Sequence, residues 1–263
     1  MGPTVFHLGA LSISSYAALV DVGIIFGLLF IYLESRWKRA DARTVMDGAL
    51  WALAAGIVGG RIAYVAIYWP YFAAHPREIL SLSQGGLAFQ GAFLAGVLSL
   101  IGYSLWNQIS FWHLADMLAP GLALGQAIGW IGCLLNGCGY GLVTRGFLAY
   151  DLRDAYGIMA FRYPTQAMIT ILNLAIFILV FALLRRRGRQ LPSGLVAVLY
   201  LILNSAGLFC LEFLRADETL YFGSLRWSQL VEAGEFLVAL LALSYLWRTR
   251  KRAHAGETAS ESS

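Results

Sequence analysis

The stretch Gly129-Trp130-Ile131-Gly132-Cys133-Leu134-Leu135-Asn136-Gly137-Cys138-Gly139-Tyr140-Gly141 closes a long apolar run and opens a polar loop. Its glycines let backbones approach closely or take positive φ. Helix ends at membrane depth need that chemistry, because freed backbone groups must find partners. The stretch therefore reads as the floor of a polar cavity. The run before it, about 114–135, meets the roughly 20 mainly apolar residues that a membrane span requires.

Working outward, six more runs of this kind lie at about 14–33, 45–69, 86–105, 164–184, 193–213 and 228–247. Composition agrees. The chain is 59% hydrophobic and 13% charged, where soluble domains carry about 25% charged residues; its mean hydropathy is +0.67. The expected fold class is an all-α integral membrane protein with seven transmembrane helices. Residues 1–247 would form a single membrane domain, and 248–263 a basic, then disordered tail. No Lys or Arg precedes the first run, so it lacks the basic region of a cleaved signal peptide and reads as a retained helix. No internal repeat is visible, which weighs against an inverted-repeat transporter.

The basic residues orient the chain. Arg36, Lys38, Arg39 and Arg43 follow the first run, Arg185, Arg186, Arg187 and Arg189 follow the fifth, and Arg248, Arg250, Lys251 and Arg252 follow the seventh. The opposite loops hold Arg77, Arg145, Arg153, Arg162, Arg215 and Arg226, none clustered. Twelve against six places the N-terminus outside and the C-terminus in the cytoplasm. The Gly129–Gly141 stretch then faces outward. The basic clusters are inner-face flanks that can also touch anionic lipid, and nothing signals nucleic-acid binding.

Charged groups inside spans are costly and tend to be functional. Asp21, Arg61, Asp116, Glu212 and Glu235 are of this kind. Asp116 is read first as a helix-start carboxylate near a positive dipole end. Glu235 is structural or cavity-lining, with no preference. Arg61 shares a helix face with Tyr64 and Tyr68. A guanidinium flanked by phenols suits a phosphate headgroup; the alternative is a structural ion pair with Asp21 or Glu212. Glu212 and Arg215, three apart at the end of the sixth run, can pair. Gly85 to Gly91, with Gln90, opens the third run, and Arg162-Tyr163-Pro164-Thr165-Gln166 opens the fifth. Polar groups thus gather at the outer ends of several spans.

Three cysteines make no disulfide framework. Cys133 and Cys138 are five apart, on different faces of a regular helix, so a bridge needs the helix to end between them. They read first as small buried apolar residues. His7, His75, His113 and His254 are scattered, so no metal site is expected, and no cofactor is implied.

Taken in order, these pieces resemble the prolipoprotein diacylglyceryl transferase family over about 14–247. They are Gly59-Gly60-Arg61-Ile62-Ala63-Tyr64, Gly85-Gly86-Leu87-Ala88-Phe89-Gln90-Gly91, Ala115 to Pro120, the Gly129–Gly141 stretch, Tyr163-Pro164-Thr165-Gln166, Gly194-Leu195 with Tyr200, Leu211-Glu212-Phe213-Leu214-Arg215, and Ser228-Gln229. The resemblance implies a seven-span enzyme of the bacterial inner membrane, with its active face outward. It would move diacylglycerol from phosphatidylglycerol to the lipobox cysteine of a prolipoprotein. The partners implied are phospholipid and prolipoprotein signal peptides. Tyr16, Tyr64, Gln90 and Asn136 take the implied catalytic places. Arg61, Trp130, Gly132, Gly137, Arg162, Gln166, Glu212 and Arg215 take the implied headgroup-binding places.

The sequence departs from the family where its chemistry is concentrated. The family motif Gly-Arg-x-Gly-Asn-x-x-Asn-Gly-Glu has Trp130 at its arginine, Cys133 at its first asparagine and Cys138 at its glutamate. Gln90 stands for a histidine and Leu208 for a second arginine. Three readings follow. The first is phospholipid-dependent transfer, by the family reaction or a variant of it. The second is a family-fold protein that binds lipid or precursor without transfer. The third is a transporter or channel.

Overall fold

The computed structural model describes residues 4–8, 11–38, 40–81, 86–186 and 192–261; Arg39, Gly85, Arg187 and Arg189, invoked above, lie outside these. Seven of its helices are long and apolar enough to cross a membrane. They are α1 (Ser15–Trp37), α2 (Ala42–Ile67), α4 (Phe89–Trp106), α5 (Phe111–Asn136), α6 (Thr165–Arg186), α7 (Leu195–Glu212) and the first part of α8 (Trp227–Glu261). All seven expected spans are present, with ends shifted by a few residues. α2 starts early because the Asp41 carboxylate accepts from the Arg43 N–H and caps it. The loop read as starting at Pro70 first forms a short helix, α3 (Trp69–Ala74), with the proline in its first turn. α8 carries helical backbone on to Glu261, through the segment expected to be unstructured.

Short strands of two to five residues pair into hairpins outside the spans. They are β1 (Thr4–Leu8) with β2 (Leu11–Ser14), β3 (Tyr150–Arg153) with β4 (Met159–Arg162), and β5 (Tyr221–Phe222) with β6 (Leu225–Arg226), β1 alone having five residues.

The chain divides into two compact units. One holds residues 1–31 and 115–263, the other 32–114. In the smaller unit, α2 and α4 pack along a seam of small residues. A β-carbon at Gly59 would collide with Ala95 Cβ, and one at Gly91 with Ala63 Cβ. Such seams let backbones approach where lipid offers no hydrophobic drive for helix association. The Ala88 N–H, just before α4, donates to Gly60 O at 3.0 Å and fixes the height of α4 against α2.

In the larger unit, α1 packs on α6 through Phe30, whose ring lies 5.1 Å from Phe177 and 5.3 Å from Phe181. Asp116 settles how α5 meets α7. Its carboxylate accepts from the Gly194 N–H at 2.7 Å and the Ala197 N–H at 2.9 Å, so it caps the start of α7 and not the start of its own helix. Deeper in the unit, Gln126 Oε1 accepts from Tyr200 at 3.0 Å and from Asn204 at 2.9 Å, tying α5 to α7 again.

Candidate functional site

In the larger unit the site is built on the end of α5. The helix stops at Asn136, and the Gly137 and Cys138 N–H groups both return to Cys133 O, at 2.8 and 3.1 Å. This satisfies helix-end carbonyl capacity internally. Gly137 has φ +80°, and a β-carbon there would strike Asp154 O. Only glycine suits both demands.

That turn brings Cys133 and Cys138 together, and they form a disulfide. Reading them as separate buried thiols is therefore corrected. The bridge forms because α5 ends between the two residues. The start of α6 then grips the same turn. Gln166 Nε2 donates to Cys138 O at 2.9 Å, and Thr165 Oγ1 donates to Gly139 O at 2.7 Å. Gln166 thus holds the motif backbone. Gly132 marks a close approach of α5 to α1: a β-carbon there would come within 3.3 Å of Tyr16 O. Tyr16 itself is 41% exposed, and Asn136 is half-buried.

Beyond the turn the chain meets the connection between α7 and α8. Gly141 bridges Arg215, and the Leu142 N–H donates to Leu214 O at 2.8 Å. There two arginines and two carboxylates form a closed ring. Arg215 pairs with Glu212 through Nη1, as the spacing foretold, and with Asp217 through Nε at 2.9 Å and Nη2 at 2.6 Å. Arg226 completes the ring, with Nε 2.6 Å from Glu212 and Nη2 3.0 Å from Asp217. Each cation bridges both anions, so the ring is formally neutral. Glu212 is 2% exposed and Arg226 4%, while Arg215 and Asp217 are half-buried. Burial works against the Arg215 charge, but Asp217 and Glu212 outweigh it and raise the guanidinium above its ordinary value.

The Arg215 guanidinium also lies over the Trp130 ring, 5.5 Å from its centroid. Arg162 is likewise engaged. Its Nη2 meets Asp154 at 2.9 Å, and its guanidinium lies 4.9 Å from the Tyr140 centroid. Asp154 in turn accepts from the Tyr156 and Ile158 N–H groups at 2.9 and 3.0 Å. Arg162 and Arg215, expected to await phosphate, thus hold protein partners here. Glu232, one turn past Gln229 on α8, is 8% exposed, and its Oε2 has no hydrogen-bond partner among the described residues.

In the smaller unit Arg61 does something the sequence did not suggest. Its Nε donates to Ile79 O at 2.7 Å, Nη1 to Gly86 O at 3.0 Å, and Nη2 to Glu78 O and Ser81 O at 2.6 and 2.7 Å. One guanidinium fork gathers four loop carbonyls. These carbonyls are partners that the sequence reading did not name for Arg61. It lines a cavity of about 350 Å³ with Tyr64, Tyr68, Tyr71, Phe72 and Glu78. The Tyr71 hydroxyl donates to Glu78 at 2.7 Å, and this bond raises its pKa. Gln90 is half-buried in the first turn of α4.

Of the expected site residues, Tyr16, Trp130, Gly132, Asn136, Gly137, Arg162, Gln166, Glu212 and Arg215 fall in the larger unit, and Arg61, Tyr64 and Gln90 in the smaller. Sequence reasoning missed Asp217, Arg226 and Asp154 as partners of those arginines. It had a usable signal only for Asp217, two residues from Arg215.

Seven spans, with glycine-rich helix ends and buried ion pairs, define the class as a multi-pass α-helical membrane protein. The family model for prolipoprotein diacylglyceryl transferase matches residues 3–245. A phosphatidylglycerol–prolipoprotein diacylglyceryl transferase of Synechococcus elongatus is 34% identical, over 99% of this chain and 95% of that protein. One of the same name from Synechocystis is 30% identical, over 95% of this chain and 91% of that protein. The chain belongs to the prolipoprotein diacylglyceryl transferase family.

Proposed function

We propose that this chain transfers the diacylglyceryl group of phosphatidylglycerol to the cysteine of a prolipoprotein lipobox. The observation that carries this is whole-length kinship. The similarity to enzymes of that name extends over 99% of the chain, helix ends and outer loops included. In the reaction the cysteine sulfur bonds to the glyceryl carbon, and that carbon's bond to the phosphate oxygen breaks. Glycerol phosphate leaves with the bonding electrons, and the thiol proton passes to a base.

The roles are redistributed from the first reading. Asn136 and Tyr16, at the ends of α5 and α1, are the proposed substrate contacts of the larger unit. Gln166, Gly137 and the disulfide hold the turn that carries Asn136, and Gly132 keeps α5 close to Tyr16. Glu212, Arg215 and Trp130 form the wall beside it, and Arg162 anchors the β3–β4 hairpin. In the smaller unit Tyr64 and Gln90 are proposed polar contacts, with Arg61 fixing the loop over the cavity. The excess of Lys and Arg after the first, fifth and seventh spans supports an active face outside the bacterial inner membrane. On this reading the lipobox cysteine at the outer end of the acceptor's signal peptide reaches the helix ends named above.

One observation favours a second reading, lipid or precursor binding without transfer. Arg61, Arg162 and Arg215 are all committed to protein partners, and losing a single charge-stabilising donor typically costs about 10²–10³ in rate. Complementation separates the two. Expression in a strain depleted of its own diacylglyceryl transferase restores growth and lipoprotein lipidation under the first reading. Normal membrane expression with no rescue leaves the second.

A further inference from the structure

The connection between α5 and α6 exposes far more apolar side chain than an aqueous loop should. Phe147 is 94% exposed, Ile158 61%, Phe161 59% and Met159 57%. In the β3–β4 hairpin Met159 lies opposite Arg153 and Phe161 opposite Asp151, so these side chains share one face. The segment leading to the hairpin adds Val143, 65% exposed, and Leu142.

This surface does not stand alone. The Leu142 N–H bonds Leu214 O at 2.8 Å, which lays 142–143 against the end of α7, next to exposed Phe213. Leu135, in the last turn of α5, is exposed too. Exposed apolar side chains therefore continue from these helix ends onto the hairpin. Soluble proteins rarely expose continuous apolar area beyond a few hundred Å².

Of the charges on the segment, exposed Asp151, opposite Phe161, pairs with no cation among the described residues, against two arginines likewise unpaired; the others are engaged. Asp154 is neutralised by Arg162 at 2.9 Å, and Glu218 of the neighbouring loop accepts from the Tyr156 hydroxyl at 2.6 Å. Exposed Arg145 and half-buried Arg153 form no ion pair among the described residues. Apolar and aromatic side chains beside free guanidiniums match the boundary between acyl chains and phosphates in a bilayer.

We propose that residues 142–161 form an interfacial foot in the bilayer. Phe147, Met159 and Phe161 sit at the headgroup–acyl boundary, and Arg145 and Arg153 meet lipid phosphate. The occupant of this surface is lipid, held by continuity with the lipid-facing spans. The proposal requires only that the spans be in a membrane, so it stands apart from whether transfer occurs.

The test uses the full chain with Cys210→Ser, which removes the free exposed thiol and leaves Cys133–Cys138 bridged. Phe147→Cys and, separately, Met159→Cys are labelled with an environment-sensitive NBD dye and reconstituted in phosphatidylglycerol-containing vesicles. The foot requires blue-shifted emission at both positions. It also requires quenching by lipid spin-labelled near the carbonyl that exceeds iodide quenching severalfold. Water-like emission quenched by iodide overturns the proposal. Blue-shifted emission that neither agent quenches also overturns it, because protein, such as a second copy, then covers the face.

Discussion

Arg215 lies over Trp130, its guanidinium carbon 5.5 Å from the ring centroid. The indole face therefore receives a cation. A contact of this kind contributes about 0.5–2 kcal/mol, more as water is excluded. Trp130→Ala should destabilise the detergent-solubilised protein by about that amount, read as a lower thermal midpoint. Trp130→Arg should lower it further, because it places a guanidinium against one already raised in charge stability by Asp217 and Glu212. A Trp130→Ala midpoint equal to that of the native protein would show that the ring stack contributes nothing.

In the neutral ring of Glu212, Arg215, Asp217 and Arg226, Glu212 and Arg226 are buried and the other two half-buried, so removing Glu212 leaves an uncompensated charge. Glu212→Gln should cost about 3–5 kcal/mol. Glu232→Gln is the contrast, since its Oε2 has no hydrogen-bond partner among the described residues. It should leave the midpoint unchanged or raise it. Differential scanning fluorimetry of both variants reads the difference directly.

The Cys133–Cys138 bridge closes a very short loop at the end of α5. Chain-entropy bookkeeping for a loop that small gives about 2 kcal/mol. Dithiothreitol should lower the midpoint of the native protein and leave a Cys133→Ser/Cys138→Ser variant unmoved. Mass spectrometry after alkylation, with and without reductant, counts the thiols.

Arg61 serves four carbonyls through one planar fork, a geometry an ammonium group cannot reproduce. Arg61→Lys should keep the charge yet release the loop. Hydrogen–deuterium exchange should rise across Glu78–Ser81 and Gly86–Ala88, while the α2–α4 seam stays protected. Unchanged exchange would return Arg61 to the role of a waiting phosphate ligand.

How much of this was legible in the sequence depends on the range of the interaction. The spans could be read because a run of apolar residues is a local property, and Glu212–Arg215 because three residues apart is one helical turn. The disulfide depended on whether α5 ends before Cys138, which is decided by Gly137 taking φ +80°. Arg226 joins Glu212 only after the chain has turned through β5 and β6, and no local spacing marks it. Arg61 was the hardest, since its partners are backbone carbonyls, which every sequence offers equally.

The central claim is phosphatidylglycerol-dependent transfer by a chain whose motif arginine is Trp130. The direct measurement is the mass of a synthetic lipobox peptide incubated with the purified protein in vesicles of defined lipid. The account predicts a diacylglyceryl increment with phosphatidylglycerol, none with phosphatidylethanolamine alone, and its loss with Asn136→Ala. No increment from correctly folded protein in phosphatidylglycerol vesicles would contradict it.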